Sequence, residues 1–488
     1  MSIPPELAQA LKRIAAGTHS EADWEALRRA LSTGQIAIAG GERAVALGGS
    51  AESAVIVTGD GNVVQVLAGP AAEAVQRLSP AFFERLTERY LQAVAGDWAW
   101  LPAGDARLPL EQVFFLLQAR PQPERRPLET PPPDLVPTSE RLEAAGAPWR
   151  ESAPPPPPVP LGQALRESEH LVILGEPGAG KSTALQFIGL CFARAGEKWP
   201  ADRLGLDQTW IPVLLLLPVS AATIAGQSLW EALRAEVRRR LQACSDEEAQ
   251  ALLRAWSEGK RLLVLLDGLD ETQAEREAVR RGIEHFVRSG CGRAVVASRP
   301  AGFVPLAGVK EYTLKPLEDP KKEALPYLAG WLRVLKEEWA PQAEDRARDL
   351  LGEMQARPAL RRLLNNPLLL RLSAEYYARS GRVAENRAAL YGEWVEEAWR
   401  RAEARGANAD QKGTALRALE ALAWHRQTGG SNQEEALLSA LGRAGLPDPE
   451  GWLRLLREKA GLLARFPEER EGRVVNTYLF AHQTVQEY

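Results

Sequence analysis

Residues 175–182 read Gly-Glu-Pro-Gly-Ala-Gly-Lys-Ser, and Thr183 follows. The spacing is that of a phosphate-binding loop, G-x-x-x-x-G-K-[ST], and a loop of this kind leaves little choice of fold. Its glycines let backbone amides close around a phosphate, Lys181 neutralises the outer oxygens, and the Ser182 hydroxyl joins a Mg²⁺ shell. The geometry needs a buried strand before the loop and a helix after it, whose free amides and dipole face the anion. The run His-Leu-Val-Ile-Leu at 170–174 and the amphipathic stretch Ser182–Ala195 supply both. Gly175, Glu176, Pro177, Gly178, Ala179, Gly180, Lys181, Ser182 and Thr183 are therefore the candidate phosphate contacts.

Around this loop the pattern alternates. Short apolar runs at Leu171–Leu174, Ile211–Pro218, Leu262–Leu266 and Arg293–Ala297 are separated by helical stretches at Leu229–Ala243, Glu247–Ser257 and Glu275–Arg288. The alternation predicts an α/β fold, a parallel sheet with helices on both faces. Ligands gather at the carboxyl ends of strands in such sheets, so the residues there matter most. The run Leu262–Leu266 ends in Asp267, placed to hold Mg²⁺, and Asp270 and Glu271 follow, either of which can orient or deprotonate an attacking water. The run Ala294–Ala297 ends in Ser298 and Arg299, and a guanidinium there can read a γ-phosphate by its charge. From Asp319 to Arg405 the chain reads as helical, and it stays mostly helical to its end.

Ahead of the sheet, fourteen of the chain's 35 prolines fall between Pro121 and Pro160. Proline fixes φ and removes the amide donor, so this stretch reads as a semi-rigid linker, with a docking motif for a proline-reading domain as the alternative and a short helical run at Ser139–Ala145. The N-terminal part reads as a small α+β module. Helices are expected at Glu6–Ala15 and Ser20–Leu31, then β-type runs at Gln35–Ala39, Arg43–Leu47, Ala54–Thr58 and Asn62–Leu67, the last two flanking the turn signal Gly59-Asp60-Gly61-Asn62. A helix at Pro80–Val94 and a further strand at Leu110–Leu117 complete it. No nucleophile–base pair or metal-ligand cluster occurs before residue 121, which suits an interaction module.

At 488 residues the chain is long enough for about three domains. A net charge of -4 provides no cationic field for nucleic acid or membrane. The longest apolar runs are far shorter than a membrane span, and Cys191, Cys244 and Cys291 are too few and too scattered for a disulfide framework, which suits a cytoplasmic protein.

The pieces GEPGAGKST, LLVLLDGLDE, VVASRP, LKPLED (Leu314–Asp319), NNPLLL (Asn365–Leu370) and FAHQTVQEY (Phe480–Tyr488) occur in the order found in one family. Over about Leu161–Tyr488 the chain resembles the NACHT-type domains of the STAND class of P-loop ATPases. The resemblance implies a nucleotide domain at 161–316, a helical domain at 317–375 and a winged-helix domain at 376–488, preceded by an interaction module at 1–78, a connecting segment at 79–120 and the linker at 121–160. It implies that Pro367 packs on the nucleotide base and that His482 reaches the β-phosphate in a closed, ADP-bound state. From the residues alone, Pro367 is also ordinary helix punctuation and His482 an ordinary core histidine.

The N-terminal part is similar to the effector-associated modules that precede such domains in bacteria. The implied function is a switch, off with ADP and on with ATP, that hydrolyses ATP slowly, oligomerises with itself on a trigger and recruits an effector protein, in bacterial antiviral defence. Adenine over guanine follows from the resemblance only. The chain stops within the FAHQTVQEY segment, so a C-terminal sensor for the trigger is expected beyond it. Two alternatives stay open: an ATP-dependent transcription regulator using the winged helix on DNA, and a nucleotide-binding scaffold without turnover.

Overall fold

A computed structural model describes residues 80–103, 106–114, 117–122, 156–242, 244–301, 303–470 and 473–480, with Gln9, Arg13 and the pieces 36–37, 45–47, 54–58 and 63–67 nearer the N-terminus. The chain divides into two compact units, Met1–Val94 with Arg234–Gly259, and Ala95–Leu233 with Lys260–Tyr488.

In the first unit, β1 (Ile36–Ala37), β2 (Val45–Leu47), β3 (Ala54–Thr58) and β4 (Val63–Leu67) form an antiparallel sheet in sequence order. The β3–β4 register runs from Ala54↔Leu67 to Thr58↔Val63, the pairing that two β-branched runs around a Gly-Asp-Gly-Asn turn favour. The helices Pro80–Trp98 and Asp246–Glu258 meet here. Trp256 Nε1 donates to Thr87 Oγ1 at 2.8 Å, and its ring lies 5.1 Å from that of Tyr90. Ser245 and Glu248 close the second helix's start with a reciprocal capping box. Gln9 and Arg13 are helical; the remainder of the helices expected at Glu6–Ala15 and Ser20–Leu31, and the run Ser139–Ala145, lie outside the described residues.

The second unit opens with the hairpin of β5 (Trp100–Ala103) and β6 (Ala106–Pro109). The strand expected at Leu110–Leu117 is not formed. Leu110–Val113 is one helical turn, because Leu110 and Val113, three residues apart, share a face and are both buried. The strand starts later, as β7 (Gln118–Pro121), and pairs with β8 (Val159–Pro160), so the two ends of the proline-rich stretch lie side by side in the sheet. Pro160 is tolerated because β8 is the edge strand, where a missing amide leaves no partner unsatisfied.

The rest of the sheet is parallel. It is built from β9 (His170–Leu174), β10 (Ile211–Leu216), β11 (Leu262–Asp267), β12 (Arg293–Ser298) and β13 (Lys310–Leu314), in the order β10-β11-β12-β9-β13-β7-β8. Every residue of β9 is buried, so helices cover both faces, as in the expected α/β fold. β13 was not anticipated, and the run expected to Pro218 ends at Leu216. Pro218 instead sits in the first turn of the helix Leu217–Gly226, where its missing amide has no helical partner in any case. Beyond the sheet come the helices Leu325–Leu335, Ala343–Ala356, Pro367–Ser380 and Arg387–Ala404.

The C-terminal part has its own core of Trp399, Leu422, Leu441, Leu453, Leu456 and Tyr478, drawn from the helices Arg387–Ala404, Lys412–Gln427, Glu434–Arg443 and Pro449–Arg454, the helical turn Leu455–Lys459 and an antiparallel hairpin. That hairpin, β14 (Leu463–Arg470) with β15 (Arg473–Phe480), replaces the mostly helical ending read from the residues. Glu434 fastens it by accepting from Tyr478 Oη and Asn476 Nδ2, both at 2.7 Å.

Close packing behind the phosphate loop rests on Gly189 in the helix Lys181–Ala193. A Cβ there would stand 2.2 Å from Trp98 Cζ3 and 3.1 Å from Leu265 Cδ1. Alanine in a helix interior ordinarily gains about 1 kcal/mol over glycine. Here overpacking outweighs that gain, and Gly189→Ala is expected to destabilise the protein by about 1–3 kcal/mol in thermal or denaturant unfolding.

Candidate nucleotide-binding site

The loop after β9 is held open by its glycines. Gly178 has φ +76° and Gly180 φ +92°, in the left-handed region. Gly175 N–H donates to Ser298 O at 3.2 Å, fastening the start of the loop to the end of β12, and Ala179 N–H closes a turn on Glu176 O at 3.1 Å. Lys181 begins the next helix and bends its ammonium back, donating to Gly175 O at 2.6 Å and Glu176 O at 3.2 Å. A phosphate would offer that ammonium anionic acceptors in place of neutral carbonyls.

Opposite stand the acidic residues after β11. Asp267 shares a hydrogen bond with the Ser182 side chain, and burial nevertheless pushes its pKa above the ordinary carboxylate range. Gly268 then takes φ +83° and turns the chain into a short 3₁₀ segment, Leu269–Glu271. Asp270 is gripped by one residue twice: Arg299 N–H donates to Oδ1 at 3.0 Å, and Arg299 Nε lies 3.1 Å from Oδ2. Glu271 is pushed up to about 8, first by burial and then by the charges of Asp270 and Asp267. Burial also lowers the Lys181 pKa, against the pull of these carboxylates.

Pro177, Gly178, Gly180, Lys181, Ser182, Thr183, Asp267, Asp270, Glu271, Arg299 and Pro367 all line one cavity of about 400 Å³, within the range of small-ligand sites. Gly175, Glu176 and Ala179 form the loop behind it through the bonds above. His482 lies outside the described residues. Leu101, Val113, Phe114, Leu117, Tyr327 and Trp331 add apolar lining, with Arg371 stacked 4.8 Å over the Trp331 ring.

Sequence reasoning passed over Asn366. It caps the helix Pro367–Ser380 by accepting from Leu369 N–H at 3.2 Å, and its Nδ2 donates to Pro177 O at 2.8 Å. Leu368 N–H adds a bond to Gly178 O at 3.2 Å. A Cβ on Gly178 would meet Asn366 Oδ1 at 2.6 Å, so glycine is required for closeness as well as for φ. Asn before Pro is a readable helix-start signal, but nothing local shows that the cap reaches a loop so far back in the chain. Arg426 and Asn432 also reach the cavity and carried no sequence signal.

Among the described residues no cluster of three or more His, Cys, Asp or Glu forms a self-contained metal site. The donors present are hard oxygens, the Asp267 carboxylate and the Ser182 hydroxyl, one bonded to the other. That set fits Mg²⁺, which takes one or two protein ligands and completes its shell with water and phosphate.

Residues 1–78 match the family model of effector-associated domain 10, the span read above as an effector-associated module. No curated protein matches the chain. Among solved structures it is similar to the ORC1 protein of Aeropyrum pernix in complex with DNA, at 16% identity over 65% of this chain and 85% of that one, with a TM-score of 0.29. It is also similar to Drosophila ORC bound to DNA, at 12% identity over 66% and 88%, with a TM-score of 0.23. No helix among the described residues is long and apolar enough to cross a membrane.

Two outcomes follow from this geometry. Asn366→Ala removes a helix cap and the Pro177 bond together, and should cost about 1–2 kcal/mol of stability in thermal unfolding. Glu271 is held near 8 against its ordinary 4.5. Between those values the folded, nucleotide-free protein keeps a proton that the unfolded chain has lost, so stability falls as pH rises through the window. Glu271→Gln should remove that fall. The wild-type melting temperature should drop relative to the variant from about pH 5 to about pH 8, and parallel curves would contradict the assignment.

Proposed function

We propose that this chain is a nucleotide-controlled signalling switch of the NACHT/STAND type, off with ADP and on with ATP. The observation that carries the reading is that one cavity is lined both by the phosphate loop with its acidic partners and by elements far along the chain, Pro367, Arg426, Phe466 and Phe480. A bound nucleotide would therefore touch the helical and C-terminal parts directly, and its exchange would bias how they pack. The three C-terminal helices and the β14–β15 hairpin, with the further bridge Gln433↔Thr477, support a winged-helix reading of that part. The match of residues 1–78 to an effector-associated domain supports recruitment of an effector protein.

In this reading the phosphate-loop amides and Lys181 bind the phosphates, with Pro367 and the aromatic lining of the cavity facing the base. Ser182 and Asp267 would hold Mg²⁺, which supplies charge neutralisation at the phosphate oxygens. Glu271 accepts the proton of the attacking water, and Asp270 holds Arg299 toward the terminal phosphate. His482 is the proposed β-phosphate contact of the ADP state. Hydrolysis is slow and resets the switch. ATP loading, on a trigger read by a further sensor segment, leads to self-association that clusters the N-terminal modules, in a bacterial antiviral setting within the cytoplasm.

Lys181→Ala should abolish nucleotide binding in a calorimetric titration. Glu271→Gln should bind normally and lower steady-state phosphate release by about 100-fold or more. Unchanged binding in the first variant together with unchanged turnover in the second would contradict the assignment.

A further inference from the structure

Arg426 lies in the last turn of the helix Lys412–Gln427, and its side chain is buried, with the residue 7% exposed. Its Nη1 donates to Gly430 O, which holds the following loop against the helix end. The loop is fastened further by backbone bonds: Asn432 O accepts Tyr478 N–H at 2.9 Å, and Gln433 bridges Thr477. Arg426 and Asn432 both line the cavity that holds Lys181, Asp267 and Glu271.

A guanidinium is costly to bury and needs anionic company. In this cavity the cations have distinct partners. Lys181 bonds the Gly175 and Glu176 carbonyls, Arg299 grips Asp270, and the charges acting on Arg426 are those of Glu271 and Glu275. Arg426 thus lines the same cavity as the carboxylate assigned to the attacking water and feels its charge.

The geometry points to Arg426 as a terminal-phosphate contact supplied by the C-terminal helices: it binds the γ-phosphate of a nucleoside triphosphate and makes no such contact with a diphosphate. This rests on the nucleotide-site reading above. It adds a residue through which the C-terminal part senses the third phosphate itself, separate from the β-phosphate contact proposed for His482. The planar fork of arginine suits two phosphate oxygens at once, so lysine is a partial substitute.

The test is equilibrium binding of ADP and of the non-hydrolysable triphosphate AMP-PNP, both with Mg²⁺, to the full chain and to Arg426→Ala and Arg426→Lys. Arg426→Ala should weaken AMP-PNP roughly tenfold or more and ADP by less than about threefold, with Arg426→Lys between the two. Melting temperatures taken with ADP bound check that the variants are folded. Equal loss for both nucleotides, or no loss for either, would overturn the inference while leaving the site intact. Failure of the unsubstituted chain to bind either nucleotide would overturn the site reading beneath it.

Discussion

Three carboxylates, those of Asp267, Asp270 and Glu271, crowd the end of one buried strand, and much of the cavity is arranged around the cost of keeping them there. Desolvation and mutual repulsion push Asp267 and Glu271 toward their protonated forms. The opposing forces come from separate parts of the chain: Ser182 from the phosphate loop, Arg299 from the neighbouring strand, and Arg426 from the C-terminal helices. In the proposed reading a cation would relieve this carboxylate cluster, and an anion would answer the desolvated lysine of the loop. A Mg²⁺–nucleotide complex would bring both at once.

The order of strands follows from the same constraint. β12 lies between β9 and β11, so its end can bond both the phosphate loop after β9 and the acidic turn after β11. Its Ser298 carbonyl fastens the start of the loop, and the next amide fastens Asp270. Asn366 performs the matching task from the other side, tying the start of a distant helix to the Pro177 carbonyl. Movement of the loop with nucleotide state would therefore reach the helical part through hydrogen bonds already in place.

The parallel strands, the loop and the acidic turn were legible because each is written in contiguous residues: five apolar positions, fixed glycine spacing, a carboxylate at a strand end. Errors fell where local pattern is ambiguous. Leu110–Leu117 has the composition of a strand, yet burial at a spacing of three makes its start a helical turn, and Pro218 reads equally as a strand end or a first helical turn. β13 and the β14–β15 hairpin are set by partners remote in sequence, which a linear reading does not contain. Asn366 and Arg426 escaped notice for the same reason, since each acts on a group contributed from far back in the chain.

The central claim is that this cavity holds a nucleotide as part of the protein's resting state. It is tested most directly by denaturing freshly purified full chain and identifying what is released by chromatography. The account predicts a near-stoichiometric adenine nucleotide, chiefly ADP. A protein that releases none, and that takes up neither ADP nor ATP when these are added with Mg²⁺, would contradict it.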